Sequence, residues 1–351
     1  MFKKVESPQT LEGFLAVFSG LYAVHQKCEN AQDLRAILQG RHVLAREPSI
    51  SAYYWEGKSR GMLIVYPGEK IGYLGFLEAV DEQAFAELLA YLERQAEGLE
   101  RLVGPVDLSF WLGYRLRVAD ARQEAFVSEP WHLPFYESAF LRQEFYIAET
   151  YVSNYYSAES IGGGPPNSKS QGRYAEALAK GYVFRTEPWE KMLPQVYALI
   201  METYKDFPLF RSLSLDDFRS VFSSLERAID FSMIEGVYRD GQLHGFLLTL
   251  PDYGTLGDRA LTLRSFFQFW QRKRKAKHYV LLYMAVRPGH EGLGLAMTYR
   301  QFEKIRARRA SATAALIHQG KFTQFYEEKR ISSQTRYYLF EKELAYTIKH
   351  E

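Results

Sequence analysis

The chain has 351 residues, 47% of them hydrophobic and 25% charged, which is enough apolar surface for two cores rather than one. Its 44 Lys and Arg nearly balance 42 Asp and Glu, so the net charge of +2 excludes a strong overall field for nucleic acid or anionic membrane. The single Cys28 excludes an internal disulfide and any Cys cluster for zinc or iron–sulfur. Met1 to Pro8 turns polar before an apolar signal region can form, and no 18 consecutive apolar residues occur. The expectation is a cytoplasmic chain, neither secreted nor membrane-spanning.

Along the chain, apolar periodicity from Leu11 to Val24 predicts a helix, and Ser51–Trp55 and Met62–Tyr66 predict strands joined through Glu56–Ser59. A strand near Ile71–Leu77 follows. Asp81 is placed to cap a helix carrying Phe85, Leu88, Leu89 and Leu92, which Gly98 ends. Gly, Pro and small polar residues fill 161–172, so that segment is expected to be a linker between domains 1–160 and 173–351, or else a mobile lid. In the second half, helices are predicted from Trp189 to Tyr204 and after Ser214. Met233–Tyr238 and Leu243–Leu250 read as a hairpin through Asp240-Gly241, a pair that tolerates the positive φ angles of a type I′ turn. The aromatic residues 266–270 and basic residues 272–277 then predict a helix with an apolar face and a basic end, read as a solvated face in the first instance. The two halves share one order of elements: helix, hairpin, strand, helix.

The segment that carries chemistry starts at Tyr279. Tyr279–Val286 is an unbroken apolar run, expected of a central strand covered on both faces. After Pro288 and Gly289 come Gly292-Leu293-Gly294-Leu295-Ala296, leading into Tyr299, Phe302 and Ile305 at helical spacing. Two glycines thus lie where a strand becomes a helix. Without Cβ they let backbone N–H groups approach a pyrophosphate, and the helix N-terminus adds the positive end of its dipole. A plain turn fits the glycines alone equally well. A further strand, Thr313–Ile317, a short helical stretch from Lys321 to Lys329 containing Tyr326, and an alternating strand Thr335–Phe340 complete the pattern.

Val286-Arg287-Pro288-Gly289-His290-Glu291-Gly292-Leu293-Gly294-Leu295-Ala296 resembles the V-x-P-x-x-R-G-x-G-I-G/A strand, loop and helix of the GNAT superfamily of acyl-CoA N-acyltransferases. Gln319–Ile331 is similar to its N-x-x-A-x-x-x-Y-x-x-x-G-F helix, with Tyr326 on the Tyr. The resemblance implies an α/β (α+β) fold of two tandem GNAT-like domains, each a mixed, mainly antiparallel sheet flanked by helices. It also implies that the strand Tyr279–Val286 splays from the strand ending at Ile317. Acetyl-CoA or another acyl-CoA would be the co-substrate, bound by Met284, Ala285, Val286, Gly292, Leu293, Gly294, Leu295 and Ala296, with Tyr326 as the catalytic acid and no metal. The partner implied is a small amine or amino-acid-like substrate between the domains, with no membrane and no nucleic acid. Four departures bear on activity. Glu291 stands where the family has Arg or Gln, Gln319 replaces Asn, Phe322 replaces Ala, and Arg330-Ile331 replaces Gly-Phe.

For the general base only Glu235 and His318 are candidates, by position alone. Gly57-Lys58-Ser59-Arg60-Gly61 matches a serine-hydrolase string, but joins two predicted strands rather than a strand and a helix. The first half lacks paired glycines: Glu78-Ala79-Val80-Asp81-Glu82 is acidic and repels phosphate, so this half is expected to be a degenerate, cofactor-free copy. Gly104–Ser109 and Pro130–Tyr136 resemble motifs of an uncharacterised set of bacterial tandem GNAT-like proteins, from which Asp107, His132 and Glu144 depart. Two other readings remain open at this level: a duplicated transferase drawing on aminoacyl-tRNA, motivated by the basic run, and a non-catalytic binding protein, motivated by Glu291.

Overall fold

The computed structural model describes residues 1–164, 167–226, 229–258 and 263–344. The chain divides into two compact units: Met1–Thr150 together with the chain from Arg336, and Tyr151–Gly257 with Leu261–Thr335.

In the first unit, helix α1 (Pro8–Ala16) starts at Ser7, whose hydroxyl accepts the Thr10 N–H. It stops well short of the Val24 expected from periodicity, because the chain turns after Ala16 and reaches Gly20 at a φ of +84°. Strands β1 (Ser49–Trp55), β2 (Ser59–Val65) and β3 (Ile71–Ala79) pair antiparallel. β3 then pairs in parallel with β4 (Arg101–Gly104), but only from Ile71 to Tyr73. The other edge of β4 receives Phe340–Glu343 of the strand Ser333–Glu343. Helix α2 (Glu82–Gln95), capped by Asp81, buries Phe85, Leu88, Leu89 and Leu92. At roughly 1.5–3 kcal/mol for each large side chain removed from water, that stripe is what fixes the helix on the sheet.

Beyond Tyr73, β3 leaves β4. A bulge between Arg60 and Met62 shifts its register with β2, and Phe76 takes a φ of +51°. Acidic side chains lie along this part of β3. Buried Glu78 is bound by Lys27 and Tyr22, each at 2.6 Å, and Asp107 accepts the Phe76 N–H at 2.5 Å.

Among the described residues, six strands lie side by side in the sheet of the second unit. The strand Tyr146–Tyr156 enters it at Tyr151 and is labelled β5. There follow α3 (Ser168–Ala179), β6 (Val183–Arg185), α4 (Trp189–Thr203), α5 (Leu215–Glu226), β7 (Ile234–Arg239) and β8 (Gln242–Pro251). Then come α6 (Leu263–Lys275), β9 (His278–Val286), α7 (Leu293–Ala307) and β10 (Ser311–His318). The order across the sheet is β6-β7-β8-β9-β10-β5, antiparallel except for β9 with β10. The hairpin turn between β7 and β8 has Asp240 at φ +52° and Gly241 at +75°, as a type I′ turn requires.

Two expectations of local structure meet a different outcome. Residues 161–172 contain the end of the helix Ala158–Gly162 and the start of α3, which Asn167 caps. They are fastened within the second unit: Arg330 Nη1 donates to the carbonyls of Ser160 (2.5 Å), Ile161 (3.2 Å) and Gly163 (3.0 Å), and the Ser170 hydroxyl donates to Glu327 at 2.7 Å. In this part of the chain the compact units change over between Thr150 and Tyr151. The stretch expected as one helix from Lys321 to Lys329 is two 3₁₀ turns, Phe322–Phe325 and Glu328–Arg330, with Tyr326 and Glu327 between them. Glu327 adopts a φ of +54°, which no α-helix accommodates.

Candidate active site

The site is set by how β9 and β10 separate. They pair in parallel from His278–Ser311 to Leu281–Ala314 and no further, although β9 runs on to Val286 and β10 to His318. Both strands carry the irregularity that drives them apart. On the β8 side, the register with β9 shifts between Leu248 and Thr249, so that Leu282 is the extra residue. On the β5 side, pairing with β10 skips from Ala314 to Ile317, Leu316 stands at φ +58°, and its N–H is taken by the Ser153 hydroxyl at 3.0 Å. Among the described residues, no strand therefore pairs with the inner edge of β9 past Leu281.

Alternation decides which backbone groups face that gap. The Arg287 N–H bonds the His244 carbonyl at 2.8 Å, so Met284 and Val286 direct their N–H and C=O groups to the opposite edge. The Met284 carbonyl there receives the Tyr204 hydroxyl at 2.8 Å. Ala285 is buried and pairs with Phe246.

After Val286 the chain turns through Pro288 and Gly289 into α7. Gly292 precedes this helix at φ +96°, a conformation that costs an L-residue about 1–2 kcal/mol, and no side chain caps the helix. The N–H groups of its first turn, Gly294 and Leu295 among them, have no intrahelical acceptor. The side chains of Leu293, Leu295 and Ala296 are buried beneath them. A Cβ on Gly294 would lie 2.7 Å from the Tyr326 hydroxyl and 3.4 Å from Met284 Sδ, so a side chain there is excluded by the residues of the gap itself. Glycine, uncapped helix and unpaired strand edge together fit a diphosphate with an extended polar arm.

Tyr326 lies over this helix start. Its carbonyl is held by the Tyr156 hydroxyl at 2.8 Å, burial raises its phenol above the ordinary tyrosine range, and among the described residues none hydrogen-bonds its hydroxyl. Glu291 is exposed and folds back on its own loop, accepting the Gly289 N–H at 3.0 Å; its own N–H and that of Gly289 lower its pKa. It thus occupies N–H groups at the start of the loop and leaves those of α7.

The candidate bases separate. Glu235 is buried and paired with Arg300 (3.2 Å) and Lys304 (2.7 Å), two ion pairs that tie β7 to α7. His318 packs its ring against Tyr151 and Phe207, with centroids at 5.0 and 5.7 Å. Among the described residues no group of three or more His, Cys, Asp and Glu side chains is arranged to hold a metal. No described helix is long and apolar enough to cross a membrane.

Three groups at the site have no counterpart in the sequence reading. Arg173 of α3 lays its side chain over Gly292, with Cδ 3.2 Å from where a Cβ would stand. Tyr204, which closes α4, caps the Met284 carbonyl. His290 of the loop meets Tyr182, at 2.5 Å between Nδ1 and the hydroxyl, and packs against His244 with centroids at 4.2 Å and ring planes tilted by 39°. Arg173 and Tyr204 come from helices remote in sequence, and no local pattern marks them. The His-Glu-Gly sequence of the loop was the one signal available for His290.

No protein-family description matches the chain, and no curated protein does. Solved structures do resemble it. A tandem GNAT protein from the clavulanic acid biosynthesis pathway superposes with a TM-score of 0.52 at 11% identity, covering 98% of both chains. The GCN5-related glucosamine N-acetyltransferase region of a fungal multi-domain GH3 β-N-acetylglucosaminidase superposes with a TM-score of 0.51 at 12% identity, over 97% of this chain and 38% of that one. At these identities the likeness is one of fold. Taken with the repeated splay in each unit, it establishes that this chain has the tandem GNAT fold.

Proposed function

We propose that the protein is an N-acyltransferase that uses acetyl-CoA or another acyl-CoA as co-substrate and acts on a small amine or amino-acid-like acceptor, with the chemistry in the second unit. The observation that carries the reading is the gap between β9 and β10, which opens beside an uncapped glycine helix start and has Tyr326 at its wall. When bound, acyl-CoA supplies a thioester already activated for transfer. The N–H groups of Gly294 and Leu295, with the α7 dipole, would hold the diphosphate, and the edge of β9 would bind the amides of the arm through Val286 and the Met284 N–H, the Met284 carbonyl being taken by the Tyr204 hydroxyl. Arg173 adds a guanidinium beside Gly292.

Tyr326 holds a proton at its hydroxyl, which burial keeps in place at neutral pH, and hydrogen-bonds the sulfur as the C–S bond breaks. A thiolate whose thiol has a reference pKa of about 8.5 is a weaker base than the phenolate, so the sulfur keeps that proton only as the proton lost by the newly acylated amine returns to the phenolate. The first unit serves as a cofactor-free partner, since Glu78 and Asp107 stand at its gap.

Nucleic acid is not part of the proposal. Arg272 and Lys273 each donate to a backbone carbonyl, of Tyr253 and Ile229, at 2.5 Å, and Lys277 donates to Arg308 at 3.3 Å, so the basic run is partly spent inside the unit. Incubating the purified protein with acetyl-CoA and an amine library tests the reading through release of free thiol. Acceptor-dependent release supports it, and binding of the nucleotide with no release under any acceptor would favour a non-catalytic binding protein.

A further inference from the structure

We propose that the closely packed His244–His290 pair is a proton-linked wall of the phosphate cradle, taking up a proton when a diphosphate seats at the start of α7. The proposal rests on the acyl-CoA reading for the identity of the ligand, but its physical basis is separate.

His290 belongs to the loop itself, two positions before Gly292. Its Nδ1 meets the Tyr182 hydroxyl at 2.5 Å and its ring lies 4.2 Å from that of His244 on β8. His244 is only 6% exposed, and among the described residues its Nδ1 has no hydrogen-bond partner. A buried ring nitrogen of this kind gains from a hydrogen-bond partner.

The groups around the pair are mostly cationic. Arg239, at the end of β7, lies over the Tyr182 ring at 4.7 Å, and Arg287 follows β9 and pairs with Glu202 of α4 at 3.4 Å. Burial first, then the His290 ring and these two guanidiniums, hold His244 low against a backbone hydrogen bond with Arg239 that raises it; burial, Arg239 and Arg287 hold His290 low against weaker opposing pulls from Glu291 and Glu202. The net of these influences favours the neutral form of both rings. An anion on the α7 N-terminus reverses the local field, because it attracts charge where the two arginines repel it. One imidazole then accepts a proton, and the imidazolium adds a charge-assisted donor to the loop. Protonating both rings at 4.2 Å would set like charges against each other, so the linkage stops at one proton.

The sign follows directly. The complex raises the histidine pKa above its value in the free protein, so binding is strongest at low pH and weakens as pH rises through the pKa of the complex. The limiting slope for one proton is about tenfold in affinity per pH unit.

Calorimetric titration between about pH 5.5 and 8.5, in pairs of buffers with different ionisation enthalpies, tests this. The probe is dephospho-CoA, whose diphosphate does not titrate in that window. Expected are a several-fold weakening with rising pH, net proton uptake below neutrality, and loss of both in His290→Asn and His244→Asn. The uptake measured in the unsubstituted protein decides the matter even if a variant fails to fold. Binding that is independent of pH, without proton uptake, overturns the proposal. If neither CoA nor dephospho-CoA binds at any pH, the acyl-CoA reading fails, and the same titration with ADP-ribose, a diphosphodiester without the pantetheine arm, judges the subsite: pH-dependent binding sustains it, and flat or absent binding overturns it.

Discussion

Replacing Gly292 by Ala probes the cradle through two separable terms. At φ +96° an L-residue costs about 1–2 kcal/mol, whatever space surrounds it. The new Cβ would also stand 3.2 Å from Arg173 Cδ, so this side chain must give by a few tenths of an ångström and leave its place over the loop. Gly289→Ala supplies the control, because Gly289 has φ +82° and no heavy atom within 4 Å of its ideal Cβ. Chemical denaturation should give both variants a loss of about 1–2 kcal/mol, since both carry the backbone penalty. Titration with CoA should separate them: Gly292→Ala loses about tenfold or more in affinity as Arg173 is displaced, an effect of about 1.4 kcal/mol, whereas Gly289→Ala changes by less than about threefold. Equal losses of affinity in the two variants would refute the role given to Arg173 and the α7 N-terminus. An unchanged stability in both would refute the backbone argument.

Further outcomes follow from the same geometry. Tyr326→Phe should lower turnover by about 10²-fold or more while CoA affinity stays within about threefold, because the hydroxyl has no described hydrogen-bond partner to lose; equal turnover removes Tyr326 as the acid. Since burial raises the Tyr326 pKa, the alkaline limb of activity assigned to it should lie above pH ~10 and vanish in the Phe variant, as a pH profile of kcat will show. Glu291→Gln should tighten CoA binding several-fold by removing a carboxylate beside the diphosphate, with the effect shrinking in high salt. Glu235→Gln should cost about 1–3 kcal/mol in denaturation, leaving Arg300 and Lys304 uncompensated, yet retain activity per folded molecule; a collapse of kcat without loss of stability would restore Glu235 as a base.

What the sequence made legible is what local pattern encodes. Strand β9 and helix α7 follow from an apolar run, two glycines and a helical stripe, and the β7–β8 hairpin from Asp240-Gly241. The α2 stripe and its Asp81 cap likewise appear where periodicity puts them. The remainder depends on contacts between distant residues. The Gly/Pro/Ser segment has the composition of a linker, yet Arg330 and Glu327 fasten it, and no window around 161–172 contains them. Motif spacing singles out Tyr326, but the segment that carries it is two short turns bent at Glu327 rather than one helix, a difference that its residue spacing does not encode. Arg173 faces Gly292 only because α3 lies beside α7, a tertiary relation with no local signature.

The measurement that bears most directly on the account is calorimetric titration of the intact chain with CoA. The account predicts saturable binding at a single site, abolished in Gly292→Glu, where a carboxylate and a side chain at φ +96° are both placed in the cradle. Absence of binding up to about 1 mM CoA, or undiminished binding in the Gly292→Glu protein, would contradict it.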